Sequence, residues 1–263
     1  MRIAVPREEI HLNTSDTNHE SEIKSGIWGF WSTLGFSVLI LVLMLGLQYL
    51  ALVLYGNLFA PEGKPRESLQ WEGDLLSFSV FLSFPVCILL IAILARKSSG
   101  PGMSAYLGLR SRDWKTFLYW NAALLVLLTG IEWVTYWLKI PEMPEFMTRT
   151  YSSARSLPLY YAAIGLFAPL FEELFFRGFI YRGVKASSLG ALGAILLPAL
   201  VWAFLHQQYE PRWYYISMIF VIGVFMGWAR YKTGSLLVPI SMHAMNNFIS
   251  LIETGAYLQK TSG

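Results

Sequence analysis

The sequence predicts an all-α fold, a polytopic transmembrane helical bundle of about seven to eight spans with a four-helix core in its C-terminal half. Of the 263 residues, 55% are hydrophobic and only 14% are charged, whereas a soluble domain carries about 25% charged residues. The apolar residues also come in runs of about 20, the length a helix needs to cross a hydrocarbon core about 30 Å thick. The net charge of +3 is too small to indicate a nucleic-acid partner.

The elements follow from the order of polar and apolar stretches. Residues 1–25 are polar and mixed in charge, which predicts a mobile N-terminal tail and not a signal peptide. An eighth, re-entrant or split segment within 139–160 stays an alternative. We divide the remainder into accessory helices over 26–157 and a core over 158–256. The predicted spans lie at about 27–55, 75–95, 114–138, 158–181, 189–208, 213–230 and 235–254.

The distribution of basic residues predicts the orientation. With a cytoplasmic N-terminus, every inner connection carries lysine or arginine, and the outer connections are acidic or mixed. The sequence therefore predicts a multi-pass integral membrane protein with a cytoplasmic N-terminus. The tail, the loops and the size of the chain indicate a prokaryotic inner or cell membrane. The basic residues on the inner side are Arg96, Lys97, Arg110, Arg112, Arg182, Lys185, Arg230 and Lys232.

Two adjacent carboxylates interrupt the fourth predicted span, in the run FEELFFRG at 171–178. Ionisable side chains within a span are costly and usually functional. Neighbours on a helix lie about 100° apart, so Glu172 and Glu173 cannot share a face. Arg177 is four residues after Glu173 and can pair with it, which leaves Glu172 to point into a polar cavity. The alternative is that all three charges form a packing network between helices.

Polar side chains also lie in three other spans. His206 follows Trp202 by four residues, and Asn247 follows His243 by four, so each pair shares a helix face. An imidazole and a carboxamide together suit a developing oxyanion. The alternatives are an interfacial histidine for His206 and polar contacts between helices for His243 and Asn247. Glu132, in the third span, is predicted to be a packing or cavity residue.

Together these side chains suit the hydrolysis of an amide bond. A carboxylate and an imidazole, Glu172 and His206, can orient and deprotonate a water, and His243 with Asn247 can stabilise the oxyanion. No serine nucleophile motif is present, and Cys87 has no histidine near it in sequence. Metal-free chemistry is favoured and no cofactor is predicted, but zinc bound by Glu172, His206 and His243 stays open.

Three motifs occur in order on separate predicted helices. They are Glu-Glu-x-x-x-Arg at 172–177, aromatic-x-x-x-His at 202–206 and His-x-x-x-Asn at 243–247. This pattern resembles the CPBP family of CAAX prenyl endopeptidases and bacteriocin-processing enzymes, also called the Abi family. The resemblance covers about 158–254. The family's second motif usually begins with Phe, and here it begins with Trp202.

The resemblance implies a glutamic-type intramembrane endopeptidase that acts on membrane-anchored or hydrophobic peptides. Two functions of other classes stay open: a non-enzymatic immunity or scaffold protein of the same fold, and a proton-coupled transporter. The lack of a repeat between the two halves argues against the transporter. The roles that the resemblance implies are water activation by Glu172 and His206, an oxyanion hole of His243 and Asn247, and support from Glu173, Arg177 and Trp202.

Overall fold

The computed structural model describes residues 28–59, 66–98, 102–141, 143–209 and 211–262, so the predicted tail at 1–25 lies outside the described residues. The described residues are mostly helical and contain no strand, which confirms the all-α prediction. A 3₁₀ helix lies between α1 and α2, at Arg66–Trp71. The α-helices are α1 Phe30–Leu58, α2 Gly73–Lys97, α3 Gly102–Leu107, α4 Trp114–Trp137, α5 Glu145–Ser153, α6 Leu157–Lys185, α7 Gly190–Phe204, α8 Arg212–Thr233 and α9 Leu237–Ser262.

Each of the seven predicted spans coincides with a helix. By length and composition, five helices of the described chain can cross a membrane, namely α1, α2, α4, α6 and α8 from Trp213 onward. The other two are α7, which is apolar but shorter, and α9, which contains the His243 and Asn247 pair. The number of spans therefore stays a prediction.

Three boundaries differ by four residues or more from the predicted ones. The span predicted over 158–181 extends to Lys185, and the one predicted over 235–254 extends to Ser262. The span predicted over 189–208 ends at Phe204. Its 15 residues make a helix about 22 Å long, shorter than the hydrocarbon core of about 30 Å. His206 thus lies in the turn that follows α7.

The helix α5 is the segment for which an eighth span was an alternative. Its nine residues extend about 14 Å, too short to cross a bilayer. Ser153 at its end holds it to the start of α2, because the Ser153 hydroxyl accepts from the Gly73 amide and donates to the Trp71 carbonyl, each at 2.9 Å. In this position α5 covers one wall of the cavity described below.

The helix α6 contains the two glutamates, and its hydrogen bonds change from the α to the π pattern in two places. It is π-helical at Ala163–Phe167 and again at Leu174–Ile180, on both sides of the α-helical turn that contains Glu172 and Glu173. Wider π turns in an α-helix are frequent at functional sites. The helix packs against α2, α7 and α9, and α7 packs against α8, so the glutamates lie among helices from both halves of the chain.

Candidate active site

A buried charge network surrounds Glu173. Glu173 has no exposed surface, and its Oε1 accepts from Arg177 Nη1 and from His243 Nδ1, each at 2.9 Å. Arg177 is 1% exposed, donates from Nη2 to the Gly223 carbonyl at 3.0 Å, and lies with its guanidinium 4.7 Å from the centre of the Trp202 ring. The predicted pair of Glu173 and Arg177 is therefore present, and it joins α6 to α7, α8 and α9.

His243 lies between the two adjacent carboxylates. Because an ionised carboxylate only accepts, the bond to Glu173 places a hydrogen on Nδ1 of His243. Nε2 then lies on the other side of the ring, 3.9 Å from Oε2 of Glu172. The ring meets Trp202 edge to face, with centres 5.2 Å apart, and is 3% exposed. The protein thus fixes both the position and the orientation of this imidazole.

Glu172 and His206 are both held by Trp202. The indole Nε1 donates to Oε2 of Glu172 at 2.5 Å, and the Trp202 carbonyl lies 2.7 Å from Nδ1 of His206. A carbonyl only accepts, so Nδ1 of His206 carries a hydrogen and Nε2 has a free lone pair in the neutral ring. The Glu172 side chain is 18% exposed. Its Oε1 has no hydrogen-bond partner within the described part of the chain.

The four predicted site residues line one cavity of about 300 Å³. Glu172 comes from α6, His206 from the turn after α7, and His243 and Asn247 from α9. The early end of α7 allows the turn with His206 to reach the other three. Their individual roles in catalysis stay predictions. Apolar side chains line much of the remaining wall, among them Phe84, Leu128, Ile131, Ile164, Met218 and Ile219.

Glu132, the fourth polar position noted in the sequence, also lines this cavity. It belongs to α4 and is exposed. No hydrogen bond or ion pair connects it to the site residues among the described residues. Glu132 is therefore a cavity residue, as predicted, and a natural comparison for Glu172.

Tyr209 is a neighbour of the site that the sequence did not single out. Its ring stacks on that of His206, with centres 6.2 Å apart and planes 19° apart. Burial raises the pKa of the Tyr209 phenol, so the hydroxyl keeps its proton at physiological pH. The only sequence signal is its spacing of three residues from His206, which indicates little because the turn is not helical.

Arg230 lies in a different place from the one that its sequence predicts. The positive-inside pattern predicts an inner-loop cation, but Arg230 lies in the last turn of α8 and is 6% exposed. Its Nε donates to the Arg177 carbonyl at 3.2 Å, within the second π segment. Arg230 follows Gly223 by seven residues, two helical turns, and this spacing could have placed it on the site-facing side of α8.

The three ligands of the zinc alternative, Glu172, His206 and His243, line the same cavity. Nδ1 of His206 and Nδ1 of His243 each bond to an acceptor, so only Nε2 of each ring is free for a metal ion or a water, and Oε2 of Glu172 accepts from Trp202. Across the residues that the structure describes, no group of three or more His, Cys, Asp or Glu side chains is placed to hold a metal ion. Zinc binding by these residues stays an alternative to metal-free chemistry.

Comparison with known proteins identifies the segment that carries these residues. Residues 154–249 match the family model described as "Type II CAAX prenyl endopeptidase Rce1-like". This segment belongs to the CPBP family. The resemblance predicted from the three motifs is confirmed, and all four predicted site residues lie within the CPBP segment. The segment matches a membrane-protease family, and five helices of the described chain are long and apolar enough to cross a membrane. The chain is therefore an integral membrane protein.

Two curated relatives show more distant similarity. An "Uncharacterized 24.3 kDa protein" of Escherichia coli is 29% identical over 135 residues, which cover 49% of this chain and 60% of that protein. The "Membrane-embedded CAAX protease MroQ" of Staphylococcus aureus (strain USA300) is 28% identical over 99 residues, 36% of this chain and 38% of MroQ. The matched regions span less than two thirds of either relative. No solved structure matches the chain significantly.

Proposed function

We propose that this protein is an intramembrane endopeptidase that hydrolyses peptide bonds of membrane-anchored or hydrophobic peptides with water and without a covalent intermediate. The observation that carries the proposal is the shared cavity, where a carboxylate, two imidazoles and a carboxamide converge. The CPBP match over 154–249 supports the reaction class, because that segment contains all four groups. The apolar walls of the cavity suit a hydrophobic substrate segment.

In this mechanism Glu172 is the general base. Trp202 holds one oxygen of its carboxylate, and the other oxygen accepts a hydrogen from the attacking water. His206 accepts the second hydrogen of the water at Nε2, since its Nδ1–H is engaged with the Trp202 carbonyl. As the water oxygen bonds to the peptide carbon, the proton passes to Glu172 and the carbonyl electron pair moves to the oxygen.

His243 and Asn247 stabilise the resulting oxyanion. The Nδ1–H of His243 is engaged with Glu173, so donation from Nε2 requires the imidazolium form. That form also balances the charges of the site. In that form Glu172 and Glu173 are negative and Arg177 and His243 are positive, so each charge has an opposite charge beside it.

The tetrahedral intermediate then collapses. The carbon–nitrogen bond breaks as the leaving amine takes the proton held by Glu172, and the carbonyl re-forms as a carboxylic acid. Glu172 returns to its ionised form and is ready for another water. The step consumes one water and releases an amine and an acid, with no bond between substrate and protein at any stage.

The test is cleavage of a membrane-tethered peptide library by purified protein in detergent, read by mass spectrometry. We expect Glu172→Gln to lower kcat by about 10²- to 10⁴-fold, the usual contribution of a general base. Glu132→Gln is the matched control, because it removes a carboxylate from the same cavity wall without touching the proposed base. Activity that survives Glu172→Gln would overturn the mechanism.

Two further arms of this experiment separate the other functions. Activity should persist in the presence of a strong chelator, and loss with chelator followed by recovery with zinc would favour the zinc-dependent protease. A wild-type protein that cleaves nothing, with a cellular phenotype that survives Glu172→Gln, would favour the immunity or scaffold protein. Proton-driven flux in liposomes would favour the transporter.

A further inference from the structure

The first π segment of α6 leaves a backbone carbonyl without a partner inside the helix. In a π turn the amide of each residue bonds to the carbonyl five residues earlier, and the Ala168 amide donates to the Ala163 carbonyl in this way. In the same register the Ile164 carbonyl would accept from residue 169. That residue is Pro169, which has no N–H. The Ile164 carbonyl must therefore find a donor outside its own helix.

Asn247 of α9 is that donor. Its Nδ2 donates to the Ile164 carbonyl at 2.8 Å, and its Oδ1 accepts from Asn246 Nδ2 at 3.3 Å. A carboxamide is planar and carries two hydrogens on its nitrogen. With one hydrogen directed at Ile164 and the oxygen held by Asn246, the direction of the second hydrogen is fixed. Asn247 lines the same cavity as Glu172, so the second hydrogen is a group the site can use.

We propose that Pro169 is a positioning residue for the oxyanion donor. Because proline has no N–H, α6 has no backbone amide at position 169 to donate to the Ile164 carbonyl. The carbonyl accepts from Asn247 instead, and this bond orients the Asn247 carboxamide. This inference rests on the proposed function, in which Asn247 stabilises the oxyanion. A donor oriented before the reaction needs no reorganisation when charge develops, and this is the main advantage of such sites.

The kinetic test is a double-mutant cycle of Pro169→Ala and Asn247→Ala. We expect Asn247→Ala to lower kcat by about 10²- to 10³-fold, as for the loss of one oxyanion donor. Pro169→Ala restores a backbone amide that competes with Asn247 for the Ile164 carbonyl. The Asn247 carboxamide then loses its orientation, so kcat should fall by about tenfold with KM unchanged. The double variant should be no slower than Asn247→Ala alone. Effects on kcat that multiply would overturn the proposal.

The matched control is Pro85→Ala, which removes another proline from the interior of a helix, α2. Pro85 is exposed and does not line the cavity. We expect kcat and KM to equal those of the wild type. If Pro85→Ala lowered kcat as much as Pro169→Ala, the effect would belong to intrahelical prolines in general and the proposal would fail.

A stability cycle tests the same link without any activity. With Pro169 present, Asn247→Ala leaves the Ile164 carbonyl unpaired, and Tm should fall by several degrees. In the Pro169→Ala background, the restored backbone amide donates to the Ile164 carbonyl. Asn247→Ala should therefore lower Tm by less than half as much in that background. Equal losses in both backgrounds would overturn the proposal. If the wild type cleaves no peptide, the proposed function fails, and this cycle still decides the link between Pro169 and Asn247.

A third variant keeps the test independent of how well Pro169→Ala folds. Asn247→Asp replaces the donor with a carboxylate, which would place two acceptors against each other at the Ile164 carbonyl. We expect Asn247→Asp to have a lower Tm than Asn247→Ala. A variant as stable as the wild type would mean that the bond to Ile164 does not hold Asn247.

Discussion

At the scale of single residues, two neighbouring glutamates have different surroundings. Glu173 has no exposed surface and shares one oxygen between Arg177 and His243. Glu172 is partly exposed in a cavity and is held by one indole donor. The 100° step between consecutive helical positions separates them, so one carboxylate lies inside the ion-pair network and the other faces the cavity.

Glu173→Gln should destabilise the protein as well as lower its activity. The substitution leaves the Arg177 guanidinium, 1% exposed, without a charged partner, and loss of one member of a buried pair costs about 3 to 5 kcal/mol. Unfolding in detergent, followed by heat or denaturant, measures the change. Glu145→Gln is the control, because Glu145 pairs with Arg149 on the exposed surface, where such pairs contribute little. Equal stability of Glu173→Gln and the wild type would contradict a buried ion pair.

Trp202→Phe tests the residue at which this chain departs from the usual family pattern. Phenylalanine keeps an aromatic ring beside Arg177, but it removes the hydrogen bond from Nε1 to Glu172. A hydrogen bond to a charged group is worth about 1.5 to 3 kcal/mol, so kcat/KM should fall by at least about tenfold. Trp133→Phe, at an exposed position of α4, should change nothing. An unchanged kcat/KM in Trp202→Phe would show that the indole donor does not serve the reaction.

At the scale of elements, α6 is placed by close contacts that require small residues. A Cβ atom at Gly183 would lie 2.6 Å from the Cβ atom of Thr33 in α1. The main chains of α1 and α6 therefore approach closely at this point, which small residues permit in membrane helices. The two π segments widen α6 elsewhere, and a side chain of another helix donates to one carbonyl in each segment. Asn247 donates to the Ile164 carbonyl and Arg230 to the Arg177 carbonyl.

Gly183→Ala should separate packing from chemistry. The added methyl group must displace Thr33, and overpacking of this kind costs about 1 to 3 kcal/mol. Tm should fall, whereas the folded fraction should keep its kcat because Gly183 does not line the cavity. Gly46→Ala is the control within α1, since nothing lies within 4 Å of a Cβ atom there. A Tm for Gly183→Ala equal to that of Gly46→Ala would show that the two helices do not pack as described.

At the scale of the whole molecule, neither the helices nor the cavity fixes the orientation of the chain in the membrane, which stays a prediction. The cytoplasmic N-terminus follows from basic residues at the ends of α2, α6 and α8. Cys87 is the only cysteine of the chain and is fully buried. A variant with Cys87→Ala therefore provides a background in which a new cysteine reports its own side of the membrane.

Two single-cysteine variants test the orientation. Ser111 lies before α4 and Ser152 lies in α5, and both are exposed. In intact cells, an impermeant maleimide should label Ser152→Cys at once and Ser111→Cys only after permeabilisation, because the positive-inside rule places Ser111 in the cytoplasm. The reverse labelling pattern would mean that the N-terminus faces outward. Labelling of the parent protein at Cys87 should stay negligible until the protein unfolds.

The sequence was sufficient to place most of the site, because burial in lipid makes polar residues conspicuous. Glu172, His206, His243 and Asn247 could be chosen since each interrupts an apolar run. Arg230 could not be chosen in the same way. It lies at the end of an apolar stretch, where the positive-inside rule already accounts for a basic residue, so nothing in the sequence indicates a contact with the site.

The boundaries of α7 show the limit of arguments from composition. Only Leu205 continues the apolar run beyond Phe204, and the polar residues 206–208 follow it. The longer predicted helix rests on the roughly 20 residues that a membrane span needs. The helix ends early, and the ring stacking of Tyr209 on His206 and the bond from His206 to the Trp202 carbonyl hold the turn that follows. Such contacts depend on packing, which a hydropathy pattern does not contain.

The sequence by itself determined that this chain is a membrane protein made of helices, which polar residues of the three motifs are candidates for the site, and which of the two glutamates pairs with Arg177. These conclusions depend on local hydrophobicity and on helical spacing, and both are properties of short stretches of chain. Only the tertiary structure decided that α6 is π-helical around the glutamates, that Asn247 bonds to Ile164, and that Arg230 bonds to the Arg177 carbonyl. The physical reason is that these carbonyls accept from side chains of helices far along the chain, at a separation in sequence that no local pattern encodes.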